Sequence, residues 1–258
     1  NQEYVCTTFD DSVPARNYSY NYDKDMFTSL WVAYPLYSSV TGGNCTGSWK
    51  GDPNVPNDYE ITLSSSYGVN VGSSSPDGFD STLPSYERGH QIPNADRNNS
   101  EKMNSQTYYY TNSTPQHPSF NRGAWSSLEA AVRKNIPSGD TLYVVTGASF
   151  HKIGSPVKEE VKWILPKNET NTDKKCPVPN YYWKVLLKVK RDSSGTPVSA
   201  STIGFWYENR EYTDIYSNYS FSVDQIEAWT GFDFFVNLKD SLENTVESIS
   251  NWDDFQNF

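Results

Sequence analysis

Cysteine, histidine and long apolar runs are all scarce in this chain, and each scarcity removes a class of function. Only three cysteines, Cys6, Cys45 and Cys176, occur in 258 residues, too few for a zinc cluster or for the disulfide framework of a small secreted scaffold. Cys6 and Cys45 could close one loop in an oxidising compartment with Cys176 left over; three separate thiols suit the count equally well. No apolar run approaches the roughly 20 residues of a membrane-spanning helix. Internal repeats and low-complexity tails are missing too, which removes repeat architectures. The chain opens at Asn1 without methionine or a basic-plus-apolar leader, which suggests a mature, extracytoplasmic form whose targeting segment has been removed.

Positive charge is also in deficit: 21 Lys and Arg stand against 31 Asp and Glu, a net charge of −10. Proteins that coat nucleic acid depend on Lys and Arg to displace counterions, so packaging is excluded. The distribution matters more than the sum. Residues 87–134 carry six basic side chains against four acidic ones, leaving +2 there and −12 elsewhere. A local cationic cleft on an acidic body is expected, a form suited to turnover rather than coating.

Aromatic residues are plentiful: 12 Phe, 19 Tyr and 8 Trp, enough with the aliphatic residues for a sizeable core at this length. Residues 30–36 read as a strand interrupted by Pro35, and Gly42-Gly43, Asp52-Pro53 and the Ser/Gly cluster of residues 64–75 read as loops. Residues 106–111, rich in aromatic and β-branched side chains, predict a strand. Ala124, Trp125, Leu128, Ala131 and Val132 fall on one stripe of a helix over 123–134. Further strands are expected at 141–146, 161–165, 181–189 and 198–207. Ser222 opens a capping box for a short helix ending near Gly231, and Leu238, Leu242, Val246 and Ile249 suggest a last amphipathic helix. The class is α+β, a mainly antiparallel sheet with helices packed on it. The chain reads as a single domain over 1–258, with 1–51 as a lead-in segment and 83–134 as its chemical centre.

Residues 83–134 hold His90 directly after Arg88 and Gly89, then Asn112, Asn121, Glu129 and Arg133. Glycine lets the backbone come close to a ligand, and a neutral imidazole can take a proton from water near pH 7. Alone, a histidine is more simply a packing residue, and His117 and His151 are read that way. Asn121 stands just before the expected helix, where an N-cap would account for it; the chemical alternative is an oxygen ligand to a hard divalent ion, most simply Mg²⁺. Glu129 and Arg133, four apart on one helix, could equally be a solvated ion pair contributing about 0.3–0.5 kcal/mol. Together these residues are the set that a metal-assisted attack on a phosphodiester needs.

Tyr86-Glu-Arg-Gly-His-Gln91, Asn94-Ala-Asp96, Thr111-Asn-Ser-Thr-Pro-Gln116 and Asn121-Arg-Gly-Ala-Trp125, running on to Glu129, closely resemble the DNA/RNA non-specific endonuclease family. These are the ββα-metal or His-Me finger nucleases of the endonuclease G type, and the likeness extends over most of the chain from about Asp52 onward. The resemblance implies a Mg²⁺- or Mn²⁺-dependent endonuclease that cuts DNA and RNA, single or double stranded, and leaves 5′-phosphate products. It implies that His90 is the general base and Asn121 the direct metal ligand. Glu129 would order the metal's waters, Arg88 and Arg133 would grip phosphate oxygens, and Asn112 would support the site through hydrogen bonds. Members usually carry aspartate where this chain has Glu87, one methylene longer, and misplacement of about an ångström can cost around a hundredfold in rate. Two rivals follow: a nuclease fold that binds nucleic acid but has lost its chemistry through Glu87, and a secreted aromatic-rich glycan binder, which gives no reason for the two motifs to occur together.

Overall fold

The computed structural model describes residues 9–10, 15–63, 67, 86–167 and 169–258. Cys6, residues 83–85 and, apart from Tyr67, the loop expected at 64–75 lie outside the described residues. In chain order the strands are β1 (Phe9–Asp10), β2 (Ala15–Arg16), β3 (Ser19–Asp23), β4 (Thr28–Leu36), β5 (Glu87–His90), β6 (Ser113–Gln116), β7 (Leu142–Ser149), β8 (Lys162–Ile164), β9 (Cys176–Val178), β10 (Tyr181–Arg191), β11 (Pro197–Glu208) and β12 (Ser220–Phe221). The helices are α1 (Glu101–Gln106), α2 (Pro118–Phe120), α3 (Ser126–Lys134), α4 (Val223–Thr230), α5 (Asp240–Val246) and α6 (Trp252–Asn257).

Strands β10 and β11, both rich in apolar residues, pair antiparallel in the interior of a six-stranded sheet, ordered β12-β11-β10-β7-β4-β3. Every pairing in it is antiparallel. Side chains of a strand alternate between faces, and β10 divides accordingly. Tyr182 and Leu186 join a core with Tyr20, Val32, Ile203 and the apolar stripe of α3, while Trp183 and Val185 pack with Val223, Ile226 and Phe234 around α4. The sheet is therefore covered by α3 on one face and α4 on the other. Burial on both faces explains why β10 is rich in apolar residues at successive positions, with Lys184 and Lys188 as interruptions, rather than alternating apolar and polar.

All five residues of the expected α3 stripe are buried. At about 1.5–3 kcal/mol for each large apolar side chain withdrawn from water, Trp125, Leu128 and Val132 are what hold this helix against the sheet. α4 starts and stops where its sequence says: the Ser222 hydroxyl accepts the Gln225 N–H at 3.2 Å, and Gly231, at φ 74°, supplies the left-handed residue that ends it. Pro35 lies inside β4, past Ala33 where pairing with β3 ends. There β4 is an edge on one side and tolerates a residue without an N–H.

Two expectations are corrected. Residues 106–111 do not form a strand: α1 occupies the run up to Gln106, Tyr110–Asn112 is a single 3-10 turn, and the strand begins at Ser113. The Ser100 hydroxyl caps α1 by accepting the Met103 N–H at 3.3 Å, and the three consecutive tyrosines then take separate duties rather than one pleated surface. The last amphipathic segment is helical only over α5; Ile249, which should have closed its apolar stripe, is 44% exposed, and the separate helix α6 supplies Trp252 and Phe255 to the core. Gly89 also has a structural reason in its neighbour strand, because a Cβ there would stand 2.3 Å from Gln116 Oε1 and 2.6 Å from Gln116 Cβ.

Candidate active site

Strands β5 and β6 pair antiparallel from Glu87 with Gln116 to His90 with Ser113, and the chain then turns through α2 into α3, so that most of the expected site residues sit on one strand, strand, helix unit. This unit is tied to the large sheet by polar contacts. The Tyr182 hydroxyl donates to the Pro115 carbonyl at 3.0 Å, and the Ser29 hydroxyl is bonded to the Thr111 carbonyl.

His90 is half-buried at the end of β5, its ring 4.6 Å from Trp49 and 5.3 Å from Tyr108 between centroids. Its Nε2 is buried and has no hydrogen-bond partner among the described residues. Burial first, then the nearby Arg88 charge, push the imidazole down to about 4, so the ring is neutral at pH 7. Arg88, two residues earlier and on the same side of the strand, lies 5.0 Å over the Trp49 ring and donates from Nη1 to the Leu63 carbonyl at 2.8 Å.

Asn121 is not the helix N-cap. It has helical backbone angles and closes α2, and the segment Asn121–Trp125 that joins α2 to α3 is kinked at Gly123, whose φ of −104° and ψ of −107° are not helical. Its Nδ2 donates to Glu87 Oε2 at 2.8 Å, and the other oxygen of Glu87 pairs with the exposed Arg122. Since an ionised carboxylate can only accept, and the amide's donor is its nitrogen, Glu87 fixes the orientation of the amide and leaves Asn121 Oδ1 as the atom facing away from it. The extra methylene of Glu87 does not cost this contact.

Glu129 and Arg133 do not form the simple surface pair that their spacing allows. Arg133 Nη1 donates to Asp96 Oδ1 at 2.8 Å, and Asp96, 1% exposed, also accepts from the Tyr34 hydroxyl at 2.9 Å. Glu129 is raised by burial, with Lys184 opposing most strongly. Lys184, on the α3 face of β10, is fully buried 4.8 Å from the Trp125 ring and lowered by burial, with Glu129 opposing. Two acids and two bases thus balance beneath α3. Asn112 is 1% exposed and spends its amide internally: Oδ1 accepts the Ile92 N–H at 3.0 Å, and Nδ2 donates to Ile92 and Thr107 carbonyls at 3.0 and 2.8 Å. It clamps the segment leaving β5 and has no group left for a ligand.

The structure therefore gathers the expected residues into three contact groups on one unit: Glu87 with Asn121, Arg88 with His90 at Trp49, and Glu129 with Arg133 through Asp96 and Lys184. Trp49, Tyr108 and Lys184 were not singled out from sequence, and Asp96 and Arg122 only as parts of longer motifs. Lys184 had one signal, a charge within a mostly apolar strand. Cys45 and Cys176 are free thiols, half-buried and buried.

This arrangement has relatives. A nuclease of Nostoc sp. is 29% identical to the chain over 236 residues, 90% of this chain and 75% of that one. A nuclease of Serratia marcescens is 27% identical over 243 residues, 92% of this chain and 79% of that one. The fold is similar to that in the crystal structure of the EndoG/EndoGI complex, with a TM-score of 0.64 and 20% identity, covering 87% of this chain and 85% of that chain. Residues 2–241 match the model of the DNA/RNA non-specific endonucleases. With the β5, β6 and α3 unit in place beside the antiparallel sheet, the chain belongs to the DNA/RNA non-specific endonuclease family and is a nuclease.

Proposed function

We propose that this nuclease hydrolyses internal phosphodiester bonds of DNA and RNA, single or double stranded, without reading bases, leaves 5′-phosphate ends, and uses a divalent metal, most simply Mg²⁺, held through Asn121. The observation that carries this reading is His90: an imidazole kept neutral by burial and by Arg88, with an unpartnered ring nitrogen, at the end of the strand whose Glu87 grips Asn121. Three steps along the strand separate Glu87 from His90, about 10 Å at the usual rise, so base and ligand are carried by one rigid unit.

His90 takes the proton of a water whose oxygen attacks phosphorus in line; as that bond forms, the bond from phosphorus to the 3′ oxygen breaks, and the departing oxygen is protonated from solvent. Asn121 Oδ1 is a hard, neutral oxygen donor of the kind a Mg²⁺ that keeps most of its waters accepts. When bound, the metal offsets charge on the scissile phosphate and the leaving oxygen. Arg88 keeps guanidinium donors beyond the one bonded to Leu63, and Arg122 is exposed, so both can meet phosphate oxygens. Arg133 keeps donors beyond the one given to Asp96 and adds to the same charge. Glu129 would order water around the metal, and Asn112 acts at one remove by holding the chain between β5 and β6. The core running from Tyr18 to Phe255 supports one domain over the whole chain.

Incubation with plasmid DNA, single-stranded DNA and RNA tests the reading. Cleavage of all three with Mg²⁺, none with chelator, and 5′-phosphate termini are expected. DNA retarded on a gel but uncut would instead identify a binding protein. Glu87→Ala, which frees the Asn121 amide to turn, should raise the Mg²⁺ concentration for half-maximal rate by about 10–100-fold, the usual effect of losing a group that orients a ligand; an unchanged midpoint would show that Glu87 does not act through Asn121.

A further inference from the structure

On the sheet face opposite α3, helices α4 and α5 bring a second set of carboxylates together. Asp224, Glu227 and Glu247 each present an oxygen, and these lie no more than 4.8 Å from one another. Asp224 and Glu227 are three apart on α4, and Glu243 and Glu247 four apart along α5 and its C-terminal cap, so each pair shares one side of its helix. Backbone contacts hold the two pairs in place: the Asp224 N–H donates to the Glu247 carbonyl at 3.2 Å, and the Thr202 hydroxyl of β11 donates to the Val246 carbonyl at 2.7 Å.

The cluster by itself would mean little, since acidic groups often gather on surfaces. Glu247 is different. It is 4% exposed, and its Oε1 has no hydrogen-bond partner among the described residues. Glu243 Oε1 is likewise buried without one. A buried carboxylate ordinarily finds a donor or a cation. Here, after burial, the charges acting most strongly on Glu247 are those of Glu227, Glu243, Asp224 and Asp233, and all are acidic. Glu227 has one oxygen engaged, accepting the Phe234 N–H at 2.7 Å, and its other oxygen remains for a ligand.

We propose that Asp224, Glu227 and Glu247, with Glu243 beside them, form a Ca²⁺ site that fastens α4 to α5. Ca²⁺ takes six to eight oxygens at about 2.3–2.6 Å, which puts opposite ligands about 4.6–5.2 Å apart, and it accepts several carboxylates in irregular geometry. The measured spread fits inside that shell. Mg²⁺, which keeps its waters and uses one or two carboxylates, matches this crowd of acids less well. The site lies across the sheet from Asn121, and it stands whether or not the nuclease mechanism above is right.

Metal-free protein titrated with Ca²⁺ by calorimetry and thermal denaturation tests this, using wild type, Asn121→Ala, Glu247→Gln and the exposed-position variant Asp224→Asn. Wild type and Asn121→Ala are expected to bind one Ca²⁺ with equal affinity, and at free Ca²⁺ about a hundred times Kd their Tm should rise by about 5–10 °C. Glu247→Gln and Asp224→Asn should fold, as circular dichroism will register, yet bind Ca²⁺ about tenfold more weakly or worse. Absence of binding in wild type overturns the proposal. So does a Ca²⁺ response lost in Asn121→Ala but kept in both carboxylate variants, or equal affinity for Mg²⁺ at this site.

Discussion

Replacing His90 with alanine is expected to lower plasmid cleavage by about 10²–10⁴-fold, the contribution usual for a positioned general base, while the circular dichroism spectrum stays that of wild type. The ring packs against Trp49 and Tyr108, which also touch each other, so its loss leaves a slot beside this aromatic pair rather than a break in the main core. Added imidazole should recover part of the rate in that slot. Full activity in a folded variant would remove His90 from the chemistry. The wild-type pH profile gives a second reading of the same residue. With its imidazole pushed down to about 4, the acid limb of kcat/KM assigned to this base should fall near pH 4, well below the ordinary histidine value of about 6.5. Stability follows with a definite sign. A group whose folded pKa lies below its unfolded value contributes stability that is present above the unfolded pKa, here about 6.5, and is lost as pH falls towards about 4, because the unfolded chain binds the proton first.

Asn121→Ala is expected to reduce rate and weaken metal response together. The substitution removes the one neutral oxygen that Glu87 orients, so turnover at fixed Mg²⁺ should drop by about 10²-fold or more, and part of that loss should return at high metal concentration. A variant that titrates with Mg²⁺ as wild type does would place the ligand elsewhere. Nearby Glu87 and Arg122 would remain paired in this variant, so any loss reports on the amide rather than on collapse of the turn. The comparison with His90→Ala is informative: loss of the base should be insensitive to added metal, whereas loss of the ligand should not be.

Much of the frame was legible before any coordinates. The apolar run at 181–189 and its partner at 198–207 became the central strands, the stripe from Ala124 to Val132 became the buried side of α3, and Ser222 and Gly231 marked both ends of α4. These succeeded because the signals are local: a periodicity, a cap, a left-handed residue. Residues 106–111 failed because β-propensity is a statement about fitting a pleated surface, and those tyrosines meet different neighbours. Tyr108 packs on His90, Tyr109 lies beneath the Lys50 ammonium, and Tyr110 joins a second small core.

Sequence alone determined the family, the mainly antiparallel character of the sheet and the helix that became α3, since each depends on residue type and spacing along a few turns or a few strand residues. Tertiary structure alone decided what each charged or amide group faces. Glu87 meets Asn121 from 34 residues away, Arg133 reaches Asp96 across 37, and Asp224 and Glu247 converge from separate helices. Such encounters depend on how sheet faces and helix axes pack, and a carboxylate's field is set by whatever packing brings within a few ångströms, which no local pattern encodes.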